Sequence, residues 1–401
     1  MKGSQQGQLG NLNRYNQSRI INCLWDAKKA TRHYLSHETG LSIPTISHAL
    51  ISLTKEHLVQ VETEKTTGKR GGRPAEWFYF SGSENFAIGI DLEKEISFCL
   101  LADLEGNIKE RISWKTPSRP TPHALITDVL KHIRRMEEKV PSGAYLRGIG
   151  IALPGLVSRY TGKVIYSHTF EWHNIEFVNA IRKEIEYPVF IDNEANLLSL
   201  GELYFGSGKN YQNFICVDIR YGIGSGVVYQ HKLLDIPGEL GQSCFVVGGD
   251  SELSSRFQKL EESASDHALL TKAKEWIKKS PESTMLSRYP QPLSLQHFIE
   301  ALQLGDGVAV NIFKKAMDDL GKGLAFLVNM FHPEAFIFHG PITENNPLFY
   351  TEIRNVIERY SLSPFFTSFD LKPSTFNQLG GAFGGVSMIL QELLALNPDL
   401  V

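Results

Sequence analysis

Asp192, Asn193, Glu194 and Asn196 crowd the end of an apolar run in YPVFIDNEANLLSLGE. A carboxylate so placed can take a proton from a hydroxyl within hydrogen-bond reach, or it can simply hold a ligand. Amides and carboxylates together suit polyhydroxylated molecules, because each hydroxyl both donates and accepts. Glu239 and Gln242 in GELGQ repeat that chemistry. Buried without partners such groups are costly, so a ligand or water has to satisfy them. Asn196 has a second reading, as the cap of the helix that LLSLGE begins. Glu239 also suits a solvated turn after Pro237-Gly238, and His173 beside Trp172 reads as a packing or loop histidine.

A second set of residues suits nucleic acid. Thr31 can cap a helix TRHYLSHETG that stops at Gly40, and Ser42 can cap another, with Pro44 in its first turn and Ile46, Leu50 and Leu53 at helical spacing. Helix, tight turn and helix SIPTISHAL form a helix-turn-helix signature, in which Thr45, Ser47 and His48 face the major groove. The spacing alone also fits a plain three-helix corner. LVQVETE and AEWFYF then read as two strands joined by KTTGKRGGRP, and three helices plus a basic hairpin make a winged helix. Lys69, Arg70, Gly71, Gly72 and Arg73 read either as a solvated linker or as an arm along the minor groove. Beside a helix-turn-helix the arm is preferred. The lysines would supply phosphate contacts and the helix residues part of the sequence choice.

The chain that positions these groups has 401 residues, too many for one ordinary core. Its 42% hydrophobic and 21% charged content is that of a soluble globular protein, without an apolar stretch near the roughly 20 residues that cross a bilayer. MKGSQQGQLG lacks the apolar heart of a signal peptide, so a cytoplasmic protein is expected. A net charge of −3 argues against indiscriminate coating of nucleic acid but allows the local basic patch. Cys23, Cys99, Cys216 and Cys244 show no paired spacing and are expected as reduced thiols. After Ser81-Gly82 strands and helices alternate. FAIGIDL and ISFCLLADLEGNI open one α/β half and NFICVDI with GIGSGVVYQHKLL opens a second, which suggests two lobes around a cleft.

GIDLEKE, GIALPG, WHN, DNEAN, YGIGSG, GELGQ and FHGP occur in the order of the motifs of the ROK family of sugar kinases and sugar-responsive repressors, across residues 86–401. The chain resembles that family, and its winged helix resembles the repressor branch. The resemblance implies a winged helix-turn-helix unit over 1–80, and over 81–401 an actin-like, ribonuclease-H-type pair of lobes with a sugar in the cleft. It also implies that Asn193, Glu194, Glu239 and Gln242 hydrogen-bond sugar hydroxyls.

The departures from the family pattern matter as much. Family kinases carry a general-base aspartate where Glu194 stands in Asn193-Glu194-Ala195-Asn196, and the extra methylene displaces the carboxylate. Their phosphate-binding Asp-x-Gly-x-Thr is here Asp91-Leu92-Glu93-Lys94-Glu95, so Glu93 and Glu95 would confront a triphosphate. Tyr221 replaces a threonine in the second phosphate segment, while Gly222, Gly224 and Gly226 remain. ATP binding is therefore expected to be lost, with no catalytic residue and Glu194 a ligand-holder. Many members bind zinc through a histidine and a cysteine cluster. Gln242 replaces that histidine and SCFVVGGDSELSSRF holds only Cys244, so no metal is expected. Together these departures look most like the xylose-repressor branch. The expected partners are a roughly palindromic operator DNA, a monosaccharide effector and a second copy of the chain, with pairing beyond a dimer left open. The rival reading is an active ATP-dependent sugar kinase with an appended DNA-binding domain.

Overall fold

The computed structural model describes residues 2–64, 75–247, 256–362 and 369–396. Helices α1 (Lys2–Ala27), α2 (Arg32–Thr39) and α3 (Ile43–Lys55) precede the antiparallel hairpin of β1 (Val59–Thr63) and β2 (Glu76–Phe80). Local chemistry sets the helix ends. The Thr31 hydroxyl accepts from the Tyr34 amide at 3.3 Å and the Ser42 hydroxyl from that of Thr45 at 3.4 Å. Gly40 closes α2 with φ of 67°, a left-handed conformation that costs a residue without a Cβ nothing. Ile20, Ile21, Leu24, Leu35, Ile46, Leu50 and Leu53 are buried together. Tyr15 and Tyr34 are 61% and 46% exposed, because α1 and α2 turn the neighbouring aliphatic positions inward instead.

Each of the two large sheets has five strands. In the first, β3 (Asn85–Asp91), β4 (Ile96–Asp103), β5 (Ile108–Lys115), β6 (Tyr145–Leu153) and β10 (Val189–Asn193) lie in the order β10-β6-β3-β4-β5. Between β6 and β10 the chain makes a small separate sheet of β7 (Leu156–Ser158), β8 (Lys163–Ser167) and β9 (Trp172–Ile175). In the second large sheet, β11 (Phe214–Ile219), β12 (Ile223–Tyr229), β13 (Lys232–Leu233), β16 (Ala335–His339) and β17 (Asp370–Pro373) lie in the order β13-β12-β11-β16-β17; β14 (Cys244–Val247) and β15 (Arg256–Lys259) pair apart from it. The two orders are the same when each sheet's strands are counted from its own first strand. An antiparallel meander joins two parallel strands on its inner side in both. This duplicated layout is the actin-like, ribonuclease-H-like pair of lobes.

Helices α4 (Pro122–Glu137) and α5 (Phe177–Arg182) cover the outer face of the first sheet with Leu125, Val129, Ile133, Phe177 and Ile181. Helix α6 (Glu194–Tyr204) follows β10. The second sheet's outer side carries α7 (Glu261–Ala264), α8 (Asp266–Lys279), α9 (Leu295–Gln303), α10 (Gly307–Phe331) and α11 (Pro347–Tyr360). Between the two sheets lie α6 and α12 (Gly380–Leu394). Only glycine allows this approach. A Cβ on Gly384 would fall well inside van der Waals contact of the Leu197 carbonyl, and Gly89, Gly150 and Gly385 leave the same room where β3 and β6 meet α12. Gly224 and Gly226 of GIGSG likewise let β12 lie against Ala195 and Ser199 of α6. Since the Gly384 neighbour is backbone and cannot move aside, Gly384→Ala is expected to destabilise the protein by about 1–3 kcal/mol or more. Denaturant melts of the purified variant check this.

The N-terminal unit of three helices and a hairpin does not hang on a free linker. Its core runs without a break into Ala87, Leu100, Ala382 and Leu390 of the first lobe. Trp25 of α1 packs edge-on against Phe80, Tyr204 and Phe205, at 5.6, 6.2 and 6.4 Å between ring centroids. Arg147 donates to the Glu56 carbonyl at 2.6 Å and to Asn85, whose amide reaches the His57 carbonyl at 2.9 Å.

Candidate functional site

The turn from β10 into α6 holds the polar group that the sequence singles out. Asn193 caps α6, its Oδ1 accepting from the Ala195 amide at 2.9 Å, while its Nδ2 donates to the Gly155 carbonyl at 3.0 Å. Asn193, rather than Asn196, is therefore the cap. Asn196 donates to Asp192 Oδ1 and to the Ile236 carbonyl, both at 3.1 Å, and so ties the start of α6 to the loop that leads into Glu239. Its Oδ1 is buried without a hydrogen-bond partner, as is Oε2 of Glu194. Burial, reinforced by Asp218 and Asp91 and only partly offset by Arg220, pushes Glu194 up to about 8. In this state the side chain largely keeps its proton at neutral pH and can offer a hydroxyl to a ligand oxygen.

That shift has a direct consequence for stability. Below the ordinary glutamate value of about 4.5 both folded and unfolded chains hold the proton and no cost arises. Between there and pH 8 the unfolded chain releases it and the folded chain does not, so stability falls as pH rises. Glu194→Gln removes this loss. Its melting temperature is expected to match the unaltered protein at pH 4.5 and to exceed it by several degrees at pH 8.5, as read by scanning calorimetry.

Beyond Glu194 the cleft contains an ion cluster that spans the lobes. Arg220, just after β11, places Nε 2.9 Å and Nη2 2.5 Å from the Asp218 carboxylate, and directs Nη1 at Glu93 and, at 3.5 Å, at Asp91. Asp91 and Glu93 belong to the first lobe and Arg220 to the second. Asp218 also accepts from His339 Nδ1 at 2.9 Å, while the ring's Nε2 meets the Asn377 carbonyl. Burial would raise Asp218, but Arg220 and His339 outweigh it and hold the carboxyl well below the usual range. Burial raises Asp91 and Glu93 despite Arg220, so the cluster has more acid than its cations neutralise. A second interlobe contact lies beside it, with Lys94 Nζ 3.3 Å from the centre of the Tyr221 ring.

This arrangement corrects the expectation drawn for Glu93 and Glu95. Only Glu93 enters the cleft, where it is already paired. Glu95 is exposed on the turn before β4, with its carbonyl accepting from the Thr116 amide. Sequence reading missed Arg220, Asp218 and His339 as functional groups. Arg220 lies just before YGIGSG and His339 within FHGP, both motifs quoted above only as family markers, and the partners Asp91, Glu93 and His339 are distant in sequence from the Asp218–Arg220 pair.

The remaining expected residues fall in three places. Glu239 is exposed before the short turn Leu240–Gln242, and Gln242 donates to Glu261 at 2.6 Å. Asn193 and Glu194 are thus adjacent at one wall, and Glu239 and Gln242 lie with Glu261 on another. Thr45, Ser47 and His48 occupy the first turns of α3; His48 is exposed, Ser47 is half-buried, and the Thr45 hydroxyl lies 2.9 Å from that of Ser42. Ile51, one turn on from His48 and unremarked in the sequence, is 57% exposed. Lys69, Arg70, Gly71, Gly72 and Arg73 lie outside the described residues. His173 lies in β9, where it is exposed and packs across the strand pair against Tyr166, the packing role of its two readings.

Two matching lobes, a polar turn at their cleft and an N-terminal helix-turn-helix with a hairpin narrow the comparison. The sequence profile of the ROK family matches residues 87–392. The chain belongs to the ROK family. Among ROK proteins it is similar to the xylose repressor of Bacillus subtilis (strain 168), at 29% identity over 94% of this chain and 96% of that one. It is similar in structure to a ROK family transcriptional regulator described as a homologue of the E. coli MLC protein, with a TM-score of 0.84, 23% identity, and 97% and 99% of the two chains covered. The glucokinase of Thermotoga maritima is 27% identical over 98% of its own length but only 76% of this chain. No described helix of this ROK protein is long and apolar enough to cross a membrane.

Proposed function

We propose that this ROK protein is a DNA-binding transcriptional repressor whose operator affinity is set by a sugar or sugar derivative held between its lobes, and that it does not phosphorylate that sugar. Residues 1–80 form the DNA-binding unit and 81–401 the effector unit. The observation that carries the reading is Arg220. Its guanidinium joins Asp91, Glu93 and Asp218 across the cleft, so the motif that serves phosphates in family kinases is engaged with a cation of the protein itself. A triphosphate entering there would have to displace the cation and then face its carboxylates. The likeness to a xylose repressor over 94% of this chain supports the same reading, since the likeness to a glucokinase extends over only 76% of it.

On the DNA side, a homodimer would set two copies of α3 on half-sites about one helical turn apart, on a roughly palindromic operator. Ser47 and His48, with Thr45 at the helix start, would meet base edges. The sugar would be held by Asn193 and Glu194 from one wall and Glu239 and Gln242 from the other, with neither zinc nor ATP required. It must bind two lobe arrangements unequally for any switching to follow.

Calorimetry with D-xylose, D-glucose and N-acetyl-D-glucosamine, each with and without a non-hydrolysable ATP analogue, tests the reading. One sugar is expected to bind unaided and the analogue to give no heat. The second reading, a working sugar kinase, is favoured by a carboxyl at the base position of the family motif. It requires ATP-dependent sugar phosphorylation that Glu194→Gln abolishes, and that result would overturn the first.

A further inference from the structure

Beside Asn193, at the β10–α6 turn, lies a cavity of about 270 Å³. Gly155, Arg159, Tyr160, Asp192, Asn193 and Asn196 line it, with Asp235 of the second lobe closing one edge through a 2.9 Å hydrogen bond from the Tyr160 hydroxyl. Its size lies just below the ~300 Å³ at which small-molecule pockets begin, which suits a monosaccharide. One of its groups lacks a partner: Asn196 is 3% exposed and its Oδ1 accepts no hydrogen bond. A donor is missing there, and a sugar hydroxyl supplies one.

Arg159 connects this cavity to the DNA reader. Its Nη1 lies 3.8 Å from Asp192 Oδ2 in the cavity wall. Its Nη2 donates to Gln391 Oε1 at 2.7 Å and to Glu392 Oε1 at 3.3 Å, both in the last turn of α12. The Leu394 carbonyl that ends that turn accepts from Ser18 at 2.8 Å and from Asn22 at 3.0 Å, both in α1. Asp192 also takes the Asn196 amide, so a hydroxyl that re-pairs Asn196 or Asp192 changes what Arg159 is held by. At 3.8 Å Nη1 is beyond hydrogen-bond distance of Asp192, and because the fork is planar and rigid, swinging it to close that gap moves Nη2 away from its α12 acceptors.

We propose that part of the bound sugar occupies this cavity and that Arg159 is the relay through which occupancy shifts the end of α12 and, with it, α1. The inference rests on the cleft's reading as a sugar site and names how that site is coupled to DNA. Arg159 is a positioning residue: it need contribute nothing to operator contact.

The test uses the full-length protein and the tightest duplex enriched from a random-sequence DNA pool. Operator affinity is read by fluorescence anisotropy without sugar and at saturating concentration of whichever of the three sugars binds by calorimetry. The unaltered protein is expected to show a change of about tenfold between the two conditions. In the double variant Gln391→Ala, Glu392→Gln, whose residues lie outside the cavity, the change is expected to shrink to about twofold or less while sugar affinity stays as it was. Arg159→Lys, which replaces the fork with a point charge, is expected to lose the coupling at saturating sugar whatever its sugar affinity, and it decides the matter if the double variant does not fold. A full response to sugar in these variants overturns the relay alone. Failure of every sugar to bind the unaltered protein overturns the reading of the site and the relay with it.

Discussion

Arg220→Met is expected to lower the stability of the protein by about 3–5 kcal/mol, the usual result of removing one partner from a buried ion pair. The reason is what stays behind. Asp91 is fully buried against Glu93 with Arg220 the nearest cation in ion-pair range, and Asp218 keeps only His339. At roughly 2–4 °C per kcal/mol for a lobe of this size, the melting temperature should fall by about 10 °C. The loss should be larger at pH 8 than at pH 5, because burial already raises Asp91 and Glu93 and, without the cation, acid can discharge them by protonation. Thermal melts at the two pH values measure this. A variant as stable as the parent would mean that the interlobe cluster does not form in solution.

The second large effect concerns DNA. Arg70 and Arg73 are the forked cations of the segment KTTGKRGGRP, and each phosphate they neutralise adds about 0.9 to the slope of log affinity against log salt. Arg70→Ala with Arg73→Ala is expected to reduce that slope by about 2 and to weaken operator binding on the order of tenfold or more near physiological salt. Ser47→Ala with His48→Ala should act differently. It should cost about 1–3 kcal/mol on the preferred operator and little on unrelated DNA, because base contacts discriminate and phosphate contacts do not. Anisotropy titrations across a salt series separate the two. An unchanged slope in the arginine variant would remove the arm from the interface.

How far the sequence anticipates the molecule depends on the range over which each signal acts. Thr31, Gly40, Ser42 and Pro44 announce the ends of α2 and α3 because capping is settled within a few residues, and they stand where the spacing sets them. The strand pair that opens each lobe is similarly legible in its pattern, whereas β5, the third strand of the first meander, carries mostly polar, exposed residues and is not. Asn196 is misread as a cap because Asn193, three residues earlier, satisfies the same rule, and only the position of the Gly155 and Ile236 carbonyls distinguishes them. Glu95 and Glu93 look equivalent in Asp91-Leu92-Glu93-Lys94-Glu95, yet the alternation along a turn sends one inward and one to solvent. Arg220 follows a strand and resembles any surface arginine until Asp91 and Glu93 are folded against it from the other lobe. Arg159 is hidden for the same reason, since its α12 partners lie near the far end of the chain. Charges that act across the cleft leave no local pattern.

The central claim is that a sugar, without nucleotide, governs how tightly this protein holds DNA. It is tested most directly by titrating labelled operator with the protein in the presence and absence of the bound sugar, with no ATP or magnesium added. The account predicts a shift in operator affinity of about tenfold under those conditions, and the same shift when ATP is supplied. An affinity that sugar leaves untouched, or that moves only once ATP has converted the sugar to its phosphate, would contradict it.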